Sequence, residues 1–349
     1  MKSGLSRRGF LRAFSGRAAG GGLALAAATA TTEAAANPSE ARSLPLTAAG
    51  LPGSSKTFFN PQRVLLWEST RKEIREALSA GHLKAAIVPT GATEQHNEHL
   101  SLIADTAQAT LIAQQAALNL YPKAIVSTPC PIGYSPYHMA RKGTLTLSKE
   151  TFLAYVFEVV KCLKAHGFKT IFILNGHGGN HRPLRDSMDQ WRKELNITLE
   201  ADSYASAYKD EELSTFLESY RKLRDGEYKT IDQQSALSHA SENETSIMLA
   251  AYPHLVRPVT MQAYDEAALE YESNLSQDVL EYLEPFTKEG WPKGKNPENA
   301  RDRARQEQAL LATREKGARL IDIATRSLTD RLEKMIQATE QGLPWPPKD

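Results

Sequence analysis

Glu94 and His96 stand two residues apart in Gly91-Ala-Thr-Glu-Gln-His-Asn-Glu-His99, so in an extended segment both side chains point the same way. Asp105 opens the helical pattern that follows. An imidazole with two carboxylates and no thiolate suits zinc, manganese or iron in a hydrolytic site. His177, in Asn175-Gly-His-Gly-Gly-Asn-His181, is flanked by glycines that let the backbone approach a ligand closely. A further group, Ser238-His239-Ala-Ser-Glu242-Asn-Glu244-Thr-Ser246, precedes an apolar helical run. Each residue has a second reading. Asp105 suits a helix N-cap, Glu244 follows Ser241 at capping-box spacing, and His177 could be a turn histidine. His99, His138 and His181 read as surface or supporting groups rather than ligands. Those readings leave unexplained why acids and imidazoles concentrate in a few loops.

The elements that must position these loops alternate. Strand-like runs at 84–89, 124–128, 170–174 and 197–201 are separated by helical patterns at 105–120, 148–166 and 182–195. Strands alternating with helices predict a parallel sheet covered on both faces, with ligands beyond the carboxyl ends of the strands. The Glu94, Tyr134–His138 and His177 loops all follow strands, so they project to one side. Residues 208–235 are polar and helical in pattern, 262–300 read as a surface excursion or a subunit contact, and 301–340 form one long amphipathic pattern that could close the fold.

With 42 Lys+Arg against 41 Asp+Glu in 349 residues, the formal charge of +1 argues against a counterion-driven nucleic-acid binder. Charged residues at 24% and hydrophobic ones at 41% fit a soluble globular chain. Two cysteines, Cys130 and Cys162, make neither a disulfide framework nor a four-thiolate zinc site. No H-E-x-x-H pattern of a conventional zinc peptidase is present. Arg7-Arg8 followed by Phe10-Leu11, a weakly apolar Ala/Gly stretch and Ala34-Ala-Ala36 match a twin-arginine export signal over 1–36. A linker over 37–60 and one catalytic domain over 61–340 would follow. The chain is therefore expected to be exported, to the periplasm or beyond, with no stable membrane anchor once the signal is removed.

Four blocks in order resemble the creatininase family of amidohydrolases: Gly91–His96 with Asp105-Thr106, Lys142–Ser148, Asn175–Asn180, and His239–Ser246. The resemblance implies a three-layer α/β/α sandwich with a mostly parallel sheet and a centre of two divalent metal ions, zinc with zinc, manganese or iron. Asp105 would bridge them, Glu94 and His177 would bind one, and His96 the other. His239 would be the catalytic histidine, passing a proton to the leaving nitrogen of a small cyclic or linear amide. A formamide hydrolase is the alternative within the family, and a scaffold without turnover the alternative outside it. The family's type member carries a glutamate ligand at the position of Gly179. The resemblance assigns Glu242 as its replacement, with Glu244 as the fallback. Asn97 and Glu98 stand where the family has Gly and Pro. These departures argue against creatinine as substrate, and Ser135 and Gly178 are the expected substrate contacts. Relatives are often homo-hexamers, which implies a homo-oligomer by analogy.

Overall fold

The computed structural model describes residues 64–237, 239–264, 275–283 and 298–347. The expected signal, the linker, Ser238 and much of the 262–300 excursion lie outside the described residues.

After helix α1 (Arg71–Ser79) come four parallel strands: β1 (Ala85–Thr90), β2 (Ala124–Val126), β3 (Thr170–Asn175) and β4 (Thr198–Ser203). Their order across the sheet is β2-β1-β3-β4. The chain leaves β1 through α2 (Ala104–Asn119) to β2 at one edge. It then crosses back through α3 (Lys149–Ala165) to β3, and continues through α4 (Gly178–Leu195) to β4. Right-handed crossovers running in opposite directions put their helices on opposite faces.

The strand side chains obey that division with period two. Ala86, Val88, Ile171 and Ile173 pack with Phe152 and Val156 of α3 and Leu184 and Met188 of α4. Ala85, Ile87, Phe172 and Leu174 pack on the other face with Ile112 and Ala116 of α2. Both faces are apolar, so β1 and β3 are buried throughout. The three-layer α/β/α arrangement is therefore present as the sequence predicts. Thr90 and Asn175 pair at the carboxyl ends of β1 and β3, where the strand order reverses. In open α/β sheets that reversal opens a crevice for ligands.

The segment read as helical over 208–235 breaks into α5 (Asp210–Leu213), α6 (Glu218–Arg224) and α7 (Ile231–Ser235). Next come α8 (Glu242–Ala251) and α9 (Gln277–Leu283). The pattern over 301–340 is two helices rather than one, α10 (Glu298–Ala309) and α11 (Arg314–Gln341). The break has a local cause: the Thr313 side chain accepts from the Lys316 amide and caps α11. Leu320, Ile321, Leu328 and Leu332 of α11 complete the core on the α2 face. Among the described residues, no helix is long and apolar enough to cross a membrane.

Candidate metal centre

Two glycines let the strand-end loops reach the first turn of α2. A Cβ on Gly91 would lie 2.5 Å from the Thr106 amide nitrogen, and one on Gly176 would lie 2.2 Å from the Asp105 carbonyl oxygen. Asn175 and Asn180 tie the loops together. Asn175 donates to the His177 carbonyl, while Asn180 donates to the Gly91 carbonyl and accepts from the Tyr134 amide. Asp105 is the second residue of α2, and the N-cap residue Ile103 supplies no side-chain hydrogen bond. The Asp105 carboxylate is thus aimed into the crevice.

Two groups meet there and share Asp105. Asp105 Oδ1 lies 2.9 Å from His96 Nε2, which is also 3.7 Å from Glu244 Oε2. Asp105 Oδ2 lies 3.1 Å from His177 Nδ1, which is equally 3.1 Å from Glu94 Oε1. Glu94, His96, Asp105, His177 and Glu244 are all buried. Glu94 Oε1 and Asp105 Oδ2 have no directional hydrogen-bond partner despite their nearness to His177. Buried carboxylate oxygens of this kind are costly without a cation between them. The donor set, oxygen and imidazole nitrogen only, fits a divalent transition metal.

Electrostatics follow from this crowding. Burial pushes the His96 imidazole down, but the adjacent Asp105 carboxylate, together with Glu244 and Glu94, outweighs it and holds the ring up at about 10. Burial works against ionised Asp105 as well, and His96 and His177 together, by charge and hydrogen bonding, overcome it to bring that carboxyl to about 2. Glu244 goes the other way: burial pushes its carboxyl up to about 7. Protonated His96 therefore offsets part of the carboxylate charge around it.

Glu242 corrects the sequence expectation. Its carboxylate accepts from the amides of Glu218 and Ser219 and from Lys316 Nζ, at 3.0, 2.6 and 2.6 Å. It joins α6 to α11 and takes no part in the cluster. The carboxylate from this helix that does reach His96 is Glu244, whose Oε2 also accepts from the Ala240 amide. The capping-box reading of Glu244 does not hold, because the N-cap residue Ser241 makes no side-chain cap bond and the amide that Glu244 meets is that of Ala240, one residue earlier. Ser135 differs too, since its hydroxyl donates to Glu94 Oε2 and braces that carboxylate. Gly178 lines the cavity beside the cluster, as do His239 and Tyr137.

His138, read from sequence as peripheral, is buried within the cluster. Its ring stacks on His239 with centroids 4.7 Å apart, and its Nε2 is 3.8 Å from Glu94 Oε1. Burial lowers its pKa to about 3. His99 is also buried, bonded to Gln306 and Thr245, whereas His181 is partly exposed. The cavity, about 330 Å³, extends from the cluster past Tyr204, Tyr208 and Tyr220 to Asp210 and is lined also by Arg305. None of these last residues belongs to a motif, and only their placement by the turn after β4, the α5–α6 segment and α10 brings them to the site.

Comparison with known proteins agrees with this fold. A 3-dehydro-scyllo-inosose hydrolase of Thermotoga maritima is 29% identical over 201 residues, covering 56% of this chain and 58% of that protein. A mycofactocin precursor peptide peptidase of Mycobacterium ulcerans is 25% identical over 190 residues, covering 52% and 64%. The match thus spans less than two thirds of either relative's length. A mutant creatininase of Zn–Zn type superposes with a TM-score of 0.58 at 21% identity, over 78% of this chain and 98% of that one. Such a superposition shows a shared fold. The sequence matches the creatininase family (creatinine amidohydrolase) over residues 67–332. With four motif blocks, a parallel sheet and a carboxylate–histidine cluster at its switch point, the chain belongs to the creatininase family.

Proposed function

We propose that the chain is an exported, metal-dependent amidohydrolase that opens a C–N bond other than a peptide bond in a small amide. The observation that carries this reading is Asp105, whose two oxygens face two different histidine–carboxylate groups. Glu94, His177 and Asp105 would hold one divalent ion; His96, Glu244 and the same Asp105 would hold the second. When bound, the ions would supply a polarised carbonyl and a water acidic enough to attack it near neutral pH. Zinc is the favoured ion, in keeping with the Zn–Zn type creatininase. Ser135 fixes Glu94, and His239, on the cavity wall, faces the leaving group. Gly179 leaves no gap to fill, because a Cβ there would lie 2.4 Å from the Tyr134 carbonyl oxygen. Glu244 supplies the carboxylate instead.

Export rests on the paired arginines and small-residue site of the first 36 residues. Self-association is supported by Leu102 and Leu145, exposed beside the site loops, and sedimentation of the purified protein tests it. Metal analysis with Asp105→Asn tests the centre. Two ions per chain are expected in the wild type, with loss of both ions or of nearly all turnover in the variant. Full metal content and activity in Asp105→Asn would reject the shared-carboxylate centre. Peptide cleavage is the second reading, favoured by the peptidase among the relatives. A panel of cyclic amides, formamides and short peptides separates the two.

A further inference from the structure

Four imidazoles face the carboxylates, and the partner on the outer nitrogen of each ring decides what its inner nitrogen offers. His96 Nδ1 lies 3.1 Å from the Glu94 carbonyl oxygen, and His177 Nε2 lies 3.1 Å from both the Tyr134 carbonyl oxygen and the Tyr137 hydroxyl, which can accept as readily as donate. A carbonyl only accepts, so these outer nitrogens carry the proton. A neutral ring then turns a lone pair inward, as a ligand must.

His138 and His239 are held by a different partner. The Gln95 side-chain nitrogen lies 3.0 Å from His138 Nδ1 and 3.1 Å from His239 Nε2. Gln95 Oε1 accepts from the Asn97 amide at 3.0 Å. A backbone N–H can only donate, so this bond fixes which end of the Gln95 amide is oxygen. The two amide protons then go one to each ring. Near-parallel stacking, with the planes 14° apart, lets a single amide serve both. Each ring accepts on its outer nitrogen, so a neutral ring carries its proton on the inner one. That is Nε2 of His138, 3.8 Å from Glu94 Oε1, and Nδ1 of His239, 3.6 Å from the same oxygen.

We infer that Gln95 is a positioning residue that holds His138 as its Nε2–H tautomer and His239 as its Nδ1–H tautomer, so both face the cluster as hydrogen-bond donors and not as metal ligands. Backbone carbonyls make ligands of two rings, and one glutamine makes donors of the other two. The donors' purpose rests on the hydrolase reading: a fixed pair of N–H groups beside the centre suits an acceptor oxygen or nitrogen on the amide substrate. The tautomers themselves stand on the hydrogen bonds alone.

Nuclear magnetic resonance of zinc-loaded protein carrying nitrogen-15 histidine reads each ring nitrogen directly, with single His→Asn variants assigning the signals. The wild type should show His138 protonated on Nε2 and His239 protonated on Nδ1. Gln95→Glu turns the donor into an acceptor and should reverse both tautomers, lowering kcat by about 10–100-fold on any amide the enzyme turns over. Gln95→Leu, or Gln95→Met if the leucine variant does not fold, should abolish the preference while zinc content stays at the wild-type level. An unprotonated or zinc-shifted inner nitrogen on either ring of the wild type would overturn the inference. So would unchanged tautomers in the leucine or methionine variant. Failure of every amide to react would sink the hydrolase reading and leave the tautomer result standing.

Discussion

Glu242 and Glu244 are two residues apart on one helix, and both are buried, yet their carboxylates meet opposite partners. Glu242 faces one ammonium and two backbone amides. Glu244 faces His96 across 3.7 Å, and burial raises its pKa to about 7. The two should therefore fail differently when neutralised. Glu244→Gln should reduce bound zinc from two ions per chain toward one, because one histidine and a shared aspartate remain at that position. Glu242→Gln should keep both ions but destabilise the fold by about 2–4 kcal/mol, since Lys316 is left beside an uncharged amide. Metal analysis paired with urea unfolding checks both, and a loss of zinc in Glu242→Gln alone would reverse the assignment. The sequence did not resolve this choice for a physical reason. Residues Glu242 to Met248 of α8 are all buried, so no polar face tells which carboxylate turns toward the crevice.

At the scale of elements, β1, β3 and their loops were legible because strands apolar on both faces leave only their ends for polar chemistry. The break between α10 and α11 was harder to read, since apolar residues at helical spacing continue on both sides of Thr313. The position of α8 was not legible at all, because it depends on one close crossing. A Cβ on Gly317 of α11 would lie 1.8 Å from the Ser246 carbonyl oxygen and 2.9 Å from the Ala250 Cβ. Backbone atoms cannot swing aside as a side chain can, so the two helices must separate to admit a methyl group. Gly317→Ala should cost about 3 kcal/mol of stability. It should also weaken zinc retention, because α8 carries Glu244. Urea unfolding with a zinc-competition titration tests this, and wild-type values in both would show that α8 and α11 are not held at this distance.

Across the whole molecule, the β1 loop is knitted to segments remote in sequence. His99 Nδ1 is 3.0 Å from Gln306 of α10, and its Nε2 is 2.8 Å from Thr245 of α8. Asn97 donates to the Asp302 carbonyl of α10, and the Arg141 guanidinium meets the Asp302 carboxylate at 2.6 Å. Asn97 stands where the family has glycine, so this departure serves to dock α10, the helix that brings Arg305 to the cavity. Burial of His99 lowers its pKa from an ordinary 6.5 to about 4. Above 6.5 the ring is neutral whether the chain is folded or not. Between the two values the unfolded chain binds the extra proton, so stability falls as the pH is lowered, and below about 4 the loss is complete. The full difference amounts to about 3 kcal/mol, of which roughly 2 kcal/mol is lost by pH 5. His99→Gln should therefore lower stability at pH 7.5 yet flatten its decline toward pH 5, as read from urea midpoints of both proteins at the two pH values. Parallel declines would mean that His99 is not a neutral, buried link between these segments.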